Sequence, residues 1–430
     1  MWVVYLATAT SILFGTWYRC SRNAANGLPE GPQGCCFTLL RTYPEWTLHR
    51  WAQEYGSLYS FTIGNQRFLV VSDPDTAKSL FLSKAYICSD RKETGITSTS
   101  RKHRKIATIS LDQQDINRQI RVLDLQTTST IRALYKDSAD GKRINPQTHV
   151  SRCSINCISA ITCGSLGIFD AHSQVLDLSR EFMNMTSPMY NLETKRRGNE
   201  LHGALMDTYC RQLERVQRDI ENDVHAGDCL VKTMITRKEK DQLDDLDMTM
   251  LASAFMLDGI NTTGSIIQWF SAPIPSYLHV QRWAHEELDR VVGRDRLPNL
   301  GDEASLPYCR AIVKEVERCH NPFWLGIPQA ASKVMFVMIS LFRPARWSDP
   351  LNFHTFGVGR RICPGILVAQ REIWLAVTKL LWAFYLAQVP GQLIDLKEYD
   401  GRSGRSPIPF EILLPARFEG VDDVMAEAQA

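Results

Sequence analysis

The chain has 430 residues, of which 44% are hydrophobic and 22% charged, enough to bury one large core or two smaller ones. Its formal net charge of +2 offers no basic surface for nucleic acid or for another polyanion. Twelve cysteines without a repeating spacing argue against a disulfide framework and favour a reducing compartment.

The chain begins with an uncharged apolar stretch, Trp2 to Tyr18, which has aromatic residues at both ends and is followed by Arg19 and Arg22. Its length is at the lower limit for crossing a bilayer. A cleaved signal peptide is the alternative, but no basic residue precedes the apolar run. We therefore predict a single-pass membrane anchor over residues 1–22, with the arginines keeping the rest of the chain in the cytosol.

A proline-rich segment, residues 23–34, follows the anchor and contains Leu28 to Pro32, a pattern typical of a stiff hinge. Residues 35–430 are expected to form the folded body of the chain. Asn-x-Thr sequons occur at Asn184 and Asn261. We interpret both as unglycosylated, because a cytosolic chain does not carry N-linked glycans.

Two β-rich runs between Leu58 and Val71 lie on either side of Gly64 and Asn65, a pattern that predicts a β-hairpin. Asp73 and Pro74 are typical of the N-cap and the first residue of a helix. Long helical patterns dominate the later sequence. The fold class predicted is therefore mainly α with a small β-rich portion.

Helical patterns from Asp112 to Asp241 include a cluster of three cysteines, Cys153, Cys157 and Cys163. No histidine lies near them in sequence, so we interpret them as small buried hydrophobes and not as zinc ligands. A basic run, Arg101 to Lys105, precedes this region. Its simplest interpretation is a solvated helix face.

A long and almost wholly apolar helix is predicted from Leu246 to Phe270, and such a helix should cross the core. Its middle carries a group of polar and small residues, Asp258, Gly259, Asn261 and Thr262. Buried polar side chains need hydrogen-bond partners. This helix is therefore a candidate for the functional site.

The strongest local signal is the glycine-rich loop from Phe356 to Gly365, which contains Cys363 and runs directly into an apolar helical pattern. Glycines allow positive φ and a close approach of backbone to a flat group, and Pro364 suits the first position of a helix. A helix N-terminus favours a thiolate. A thiolate held in this way is suited to be the axial ligand of haem iron.

Five residues of this loop, Phe356, Gly359, Arg361, Cys363 and Gly365, match the pattern Phe-x-x-Gly-x-Arg-x-Cys-x-Gly. The loop thus resembles the haem-binding signature of the cytochrome P-450 superfamily, in its fungal membrane-bound branch. The resemblance implies a haem-thiolate fold with haem b. It also implies that Cys363 is the iron ligand, that Phe356 packs against the ligand loop and that Arg361 pairs with a haem propionate.

The long apolar helix is similar to the oxygen-binding helix of that family, written Ala/Gly-Gly-x-Asp/Glu-Thr-Thr/Ser. The resemblance implies that Gly259 leaves room for O₂ and that Thr262 hydrogen-bonds the iron-bound oxygen and relays protons. Two positions depart from the pattern. Asn261 replaces the usual acid and cannot donate a titratable proton, and Asp258 replaces a small residue and brings a carboxylate near the oxygen pocket.

The helical pattern between these motifs places Glu315 and Arg318 three residues apart on one face, where they match the family's Glu-x-x-Arg pair. The resemblance joins Arg346 to this pair as the third member of a structural lock. In the basic run, Arg104 fits a propionate-binding position, with His103 beside it. In the family, a tryptophan four residues before this arginine also binds the haem propionates. This chain has Ser100 at that position.

Only 48 positions separate Glu315 from Cys363, far fewer than is normal in the family. The residues missing between Gln329 and Phe342 would supply sheet strands, a short helix and part of the substrate pocket, and a short apolar bridge from Ala330 to Leu341 replaces them. Two interpretations remain open. Either the chain folds around the deletion, or the gene sequence is truncated or decayed.

The resemblance predicts a monooxygenase in the endoplasmic reticulum membrane, with a cytosolic catalytic domain and contact with membrane lipid. The implied partners are an NADPH-cytochrome reductase and a small hydrophobic or aromatic substrate, with a role in fungal secondary metabolism; we expect a monomer. Asp258 and Asn261 motivate an alternative, a haem-thiolate dehydratase or isomerase that does not oxygenate. The deletion and Ser100 motivate a third, a remnant that binds no haem.

Overall fold

The computed structural model describes residues 28–32, 44–63, 66–90, 113–164, 177–179, 181, 192–222, 228–323, 329–331, 334–338, 355–400 and 405–429. The chain divides into two compact units. The first consists of residues 1–98 and 323–363, and the second of residues 99–322 and 364–430. The described elements are mainly helical with small sheets, which confirms the predicted fold class.

The predicted membrane anchor, residues 1–22, lies outside the described residues and stays a prediction. Within the described ranges, no helix combines the length and the apolar character that crossing a membrane requires. The sequon at Asn184 also lies outside them. Asn261, in contrast, lies inside a described helix, with its amide group hydrogen-bonded to the protein.

A four-stranded sheet with the strand order β1-β2-β4-β3 forms the centre of the first unit. The strands are β1 Leu58–Ile63, β2 Gln66–Val71, β3 Gln329–Ala331 and β4 Val334–Met338. β1 and β2 are antiparallel with Ile63 opposite Gln66, which confirms the predicted pairing. The turn residues Gly64 and Asn65 lie outside the described residues.

The short apolar bridge after Gln329 contributes to this sheet. β4 pairs in parallel with β2, where Phe68 lies opposite Met335, and β3 pairs with β4 in the antiparallel direction. The bridge therefore forms two strands of its own, and the expectation that the missing residues would supply further strands stays a prediction. Val334 and Val337 are β-branched, and β-branched residues favour the extended pairing that satisfies the backbone of this run.

Three short helices complete the described part of the first unit. They are α1 Pro44–Tyr55, α2 Pro74–Lys78 and α3 Ala85–Cys88, with a π-helical turn over Ser79–Ser83. Asp73 caps α2, because its carboxylate accepts a hydrogen bond from the Thr76 amide at 2.7 Å, and Pro74 occupies the first turn. Both predictions for this helix start are confirmed.

The second unit is a helical body with short two-stranded ladders. Its helices are α4 Gln113–Asp137, α5 Pro146–Cys163, α6 Leu192–Glu221, α7 Leu230–Thr236, α8 Lys238–Asp241, α9 Asp245–Ser271, α10 Leu278–Val291, α11 Pro307–Cys319, α12 Ile366–Ala383 and α13 Val421–Glu427. The ladders pair β5 Ala387–Gln388 with β8 Ile412–Leu413, and β6 Tyr399–Asp400 with β7 Ser406–Pro407.

Helix α9 crosses the core of the second unit, as its apolar sequence predicts. Asp244 caps its start together with Asp247 in a reciprocal capping box. The helix packs against α5, α6 and α12. Most of its residues are buried, because a helix that is apolar on all sides gains by being surrounded with other helices.

Helices α4 and α12 are joined by a buried lysine. The ammonium group of Lys379 lies 2.8 Å from both the backbone carbonyl and the carboxylate of Asp124, 2.9 Å from the Thr127 hydroxyl and 2.8 Å from the Thr128 hydroxyl. The lysine side chain is 0% exposed. Each of its three protons therefore has an acceptor, which is what a buried cation requires.

We expect Lys379→Met to lower the free energy of unfolding by about 3 kcal/mol, because it leaves the acceptors on α4 without their buried donor. Denaturant unfolding followed by circular dichroism measures the change. The matched control is Lys136→Met at the exposed end of α4, where the expected change is within about 0.5 kcal/mol. Equal effects of the two substitutions would contradict a stabilising role for Lys379.

Candidate functional site

The cysteine loop belongs to the first unit and is held by its own backbone. The amide of Cys363 donates a hydrogen bond to the carbonyl oxygen of Phe356 at 2.8 Å, which closes the loop. Gly357 and Gly359 have φ of 77° and 65°, a conformation that L side chains rarely adopt. The two glycines therefore allow the chain to turn back so that Cys363 meets Phe356.

Gly359 is also required for a second reason. A Cβ at this position would collide with the backbone carbonyl oxygen of Phe81, in the π-helical turn, and would lie 3.4 Å from the Leu82 side chain. Backbone cannot move aside as a flexible side chain can. The loop and the π-helical turn are thus in direct backbone contact at this glycine.

Arg361 and Cys363 have different surroundings. The Arg361 Nε donates to the Ser89 carbonyl oxygen at 2.6 Å, so this atom of the guanidinium binds protein backbone. The thiol of Cys363 is half-buried and forms no disulfide with a described cysteine. A single accessible thiol on a rigid glycine loop is a suitable axial donor for the haem that the loop motif predicts. The donor chemistry therefore fits that group.

The polar turn of α9 belongs to the second unit and contains four of the predicted site residues. The Thr262 hydroxyl donates to the backbone carbonyl of Asp258 at 2.5 Å. The Asn261 amide donates to the Ser179 hydroxyl at 2.5 Å and to the Leu257 carbonyl at 3.4 Å. Asp258 and Thr262, four residues apart, share one face of the helix. Asn261 instead contacts the segment that contains Ser179.

Gly259 lies where helix α9 approaches helix α5, and the role that the resemblance implies for it stays a prediction. A Cβ on Gly259 would lie 2.5 Å from Cγ1 and 2.7 Å from Cδ1 of Ile158, on α5. The space on the side where a side chain would point is therefore filled by Ile158. Glycine at this position allows α5 and α9 to approach closely.

Asp258 carries the titratable carboxyl group on this face of α9. Its side chain is exposed, yet desolvation by the surrounding protein raises the pKa of Asp258 to about 6. No described residue forms an ion pair with it, and burial is the cause of the raised pKa.

The Glu-x-x-Arg pair on α11 is formed. Arg318 donates to the two carboxylate oxygens of Glu315 at 2.7 and 2.5 Å, and this bidentate contact lowers the pKa of Glu315. The predicted third member, Arg346, lies outside the described residues, as do the predicted propionate ligands Arg104 and His103. These three assignments stay predictions.

Two titratable groups next to this pair were not predicted from the sequence. Burial raises the pKa of Glu317 to about 7, and its Oε1 atom is buried without a partner in the described part of the chain. Burial lowers the pKa of His320 to about 4, and its ring stacks on Trp269 at 3.9 Å between centroids. The helical period that buries Val313 and Val316 also places Glu317 on the inner face.

The cysteine cluster of α5 lies in the core, as its sequence predicts. Cys153 and Cys157 lie with Glu372 of α12 so that their three ligand atoms are within 4.8 Å of one another. A hydrogen bond with Cys153, followed by burial, raises the pKa of Cys157, and burial raises the pKa of Glu372 to about 7. Protonated thiols in this setting behave as small hydrophobes.

The family model "Cytochrome P450" matches residues 34–338 and 340–414 of this chain. The break in the match, at residue 339, lies just after strand β4. The chain is 26% identical to Cytochrome P450 monooxygenase polD of Polytolypa hystricis, over 94% of this chain and 92% of that protein. It is 24% identical to Cytochrome P450 monooxygenase patI of Aspergillus clavatus, over 93% and 90% of the two chains.

A plant protein and a vertebrate structure give the same result. Cytochrome P450 98A8 of Arabidopsis thaliana is 25% identical, and the match covers 95% of each chain. The solved structure of a zebra fish cytochrome P450 with progesterone superposes with a TM-score of 0.75 at 18% identity, over 87% of this chain and 100% of that one. The polD alignment runs to 487 positions although this chain has 430 residues, so the chain is shorter within the matched region.

We expect Gly259→Ala to lower the free energy of unfolding by about 1–3 kcal/mol, because the added methyl group overlaps Ile158 in a packed core. In an Ile158→Ala background the same substitution should be neutral or stabilising, since alanine is favoured over glycine inside a helix. A double-mutant cycle measured by denaturant unfolding tests this coupling.

Gly203→Ala provides the control for this cycle. Gly203 lies inside helix α6, and a Cβ there would meet no atom within 4 Å. We expect this substitution to raise the free energy of unfolding by about 0.5–1 kcal/mol. Additive effects of the Gly259 and Ile158 substitutions would show that the close contact does not determine the residue at 259.

Proposed function

The chain belongs to the cytochrome P450 family of monooxygenases, and we propose that it oxidises a small hydrophobic or aromatic compound with electrons from an NADPH-dependent reductase. The observation that carries this proposal is the position of Cys363 on a rigid glycine loop, within the matched span 340–414. The fungal relatives named cytochrome P450 monooxygenases support an oxygenating reaction of this kind. None of these relatives identifies the compound.

Haem, when bound, would supply the redox chemistry that reduces O₂ and inserts one oxygen atom into the substrate, with a thiolate favouring O–O cleavage. Cys363 is the residue that would hold the iron. Its loop presents the sulfur from a backbone that Gly357 and Gly359 keep in one conformation. The protein thereby contributes a fixed donor and its orientation.

The polar turn of α9 has a separate task in this proposal. Thr262 keeps its hydroxyl hydrogen on the Asp258 carbonyl, so its oxygen lone pairs remain able to accept a proton or a hydrogen bond. Asn261 holds Ser179 and has no titratable proton. The turn can therefore hold and move protons through Asp258 and Thr262, while Asn261 serves as a structural link.

A haem-thiolate enzyme that does not oxygenate, a dehydratase or isomerase, is the second candidate. The observation in its favour is that an amide replaces the usual acid next to Thr262. Turnover under ¹⁸O₂ with the reductase and NADPH separates the two functions. Label in the product supports oxygenation, and an unlabelled product formed at the same rate would contradict it.

We also propose that residues 1–22 anchor the protein in the endoplasmic reticulum membrane with the catalytic body in the cytosol. The support is the apolar stretch from Trp2 to Tyr18 and the arginines after it. Protease treatment of intact microsomes tests the orientation. The body should be digested without detergent, and full protection would contradict a cytosolic location.

We expect the reduced, carbon monoxide-bound protein to show the red-shifted Soret band typical of a thiolate ligand. Cys363→Ser should abolish this band, because a serine hydroxyl is a poor thiolate substitute. Cys210→Ser, at a half-exposed cysteine on α6, should leave it unchanged. An unaltered spectrum in Cys363→Ser would exclude Cys363 as the ligand, and a featureless wild-type spectrum would favour the haem-free remnant.

A further inference from the structure

A glutamate from a distant part of the sequence joins two cysteines in the core of the second unit. Cys153 and Cys157 lie on α5 and Glu372 lies on α12, and one donor atom of each lies within 4.8 Å of the other two. The cysteines are four residues apart and therefore share one face of α5. No third donor is near them in sequence, so this group becomes visible only in the folded chain.

The third cysteine of α5 lies outside this group of donors. Cys163 packs with buried residues of α6, α7 and α9, whereas Cys153 and Cys157 belong to the buried cluster that contains residues of α4 and α12. The three cysteines are nevertheless buried alike, since none is more than 5% exposed. Cys163 is therefore a control for the effect of replacing a buried cysteine on α5.

Glu372 is buried with few partners. It is 2% exposed, and in the described part of the chain its one hydrogen bond comes from the Ser154 hydroxyl, 2.8 Å from Oε1. A carboxylate can accept about four hydrogen bonds, and a buried carboxylate is usually paired with a cation or coordinates a metal. Ser154 lies between the two cysteines on α5, so its hydrogen bond orients the Glu372 side chain. Metal ligands are commonly oriented by such a hydrogen bond.

We propose that Cys153, Cys157 and Glu372 bind one zinc ion at a structural site, which does not depend on the haem chemistry proposed above. Zinc accepts both soft thiolates and hard carboxylates, whereas Ca²⁺ and Mg²⁺ prefer oxygen alone. Binding forms two Zn–S bonds and one Zn–O bond, and it releases the protons of two thiols and one carboxyl group to solvent. Without zinc, the protonated thiols pack as small hydrophobes.

The spacing of the three donor atoms suits zinc after a small contraction. A tetrahedral zinc ion with Zn–S bonds of about 2.3 Å and Zn–O bonds of about 2.0–2.2 Å holds its donor atoms about 3.4–3.8 Å apart. The spacing of up to 4.8 Å therefore has to shorten by at most about 1.4 Å. Rotation about the side-chain bonds of Glu372 can supply this movement while the two thiols keep their places on one helix.

A buried positive charge lies beside the two thiols. Lys379 is two helical turns after Glu372 on α12, and its ammonium group is close enough to Cys153 and Cys157 for a thiolate charge to interact with it. Two thiolates, one carboxylate and Zn²⁺ leave one negative charge in the core, which this ammonium group would attract. The Asp124 carboxylate, the ion-pair partner of Lys379, is 36% exposed, so solvent reduces its opposing effect.

A cavity of about 10 Å³ beside Cys153 offers a fourth position around the ion. It is lined by Cys153, by Thr127 and Thr130 of α4, and by apolar residues of α9 and α12. This volume is at the lower limit for one water molecule. A zinc ion with three protein ligands commonly binds a water molecule as the fourth. The zinc ion would be the polar partner that a water molecule needs in this mainly apolar cavity.

The test measures zinc in the full chain, purified without chelating agents from cells supplied with zinc. We expect about one zinc ion per chain in an elemental analysis. X-ray absorption at the zinc edge should show two sulfur neighbours at about 2.3 Å and oxygen neighbours at about 2.0–2.2 Å. Iron absorbs at a different edge, so haem does not disturb the measurement.

Four single variants identify the ligands by competition with a chromogenic chelator. Cys153→Ala and Glu372→Gln each remove one donor and should weaken zinc binding at least about tenfold. Ser154→Ala keeps all three donors and should weaken binding about 10–100-fold, because the carboxylate loses its orienting hydrogen bond. Cys163→Ala, the control, should bind zinc with the wild-type affinity.

Thermal unfolding provides a second measurement. Zinc should raise the unfolding temperature of the wild type, because the three donors are brought together only in the folded chain. Removal of zinc by a strong chelator should reverse this shift. Cys163→Ala should show the same shift as wild type, and Glu372→Gln should show none.

The wild-type measurements decide the proposal even where a variant fails to fold. A zinc content near zero, or zinc with only oxygen and nitrogen neighbours, would overturn it. So would a Glu372→Gln variant that binds zinc with the wild-type affinity. Zinc binding is measured whether or not the thiolate-type Soret band is present, so the failure of this inference and the failure of the proposed function are distinguishable.

Discussion

The backbone contact between the cysteine loop and the π-helical turn is the constraint on which the sulfur's position depends. Gly359 approaches the Phe81 carbonyl so closely that no side chain fits between them, and the Cys363 amide is fixed on the Phe356 carbonyl. Main-chain atoms meet at both points. The direction of the Cys363 side chain is therefore set by backbone geometry, which is less adaptable than a packing of flexible side chains.

Helix α9 shows how three polar residues between positions 258 and 262 take different roles within an apolar environment. The Thr262 hydroxyl donates a hydrogen bond to the Asp258 carbonyl of the helix backbone, and the Asn261 amide donates one to the Ser179 hydroxyl. The Asp258 carboxylate forms no ion pair with a described residue, and desolvation raises its pKa to about 6. The difference between these side chains lies in their contacts and not in their distance along the chain.

Local patterns in the sequence predicted the features that depend on neighbouring residues. The pairing of β1 with β2, the Asp73 cap and the apolar character of α9 were each predicted from a few adjacent positions. Contacts between distant segments were not. Nothing in the sequence around Gly259 indicates Ile158, and the pattern around the shortened segment did not show that β4 would pair with β2. Such contacts arise from helix and strand packing.

The burial of the Lys379 ammonium group determines how this lysine reacts in chemical-labelling experiments on the folded protein. It is enclosed between α4 and α12 and fully occupied by four oxygen acceptors. Amine-acylating reagents react only with an uncharged, accessible nitrogen, so they should modify the surface lysines and spare this one. The fraction of molecules acylated at Lys379, measured by mass spectrometry, would therefore report the fraction in which α4 and α12 have separated.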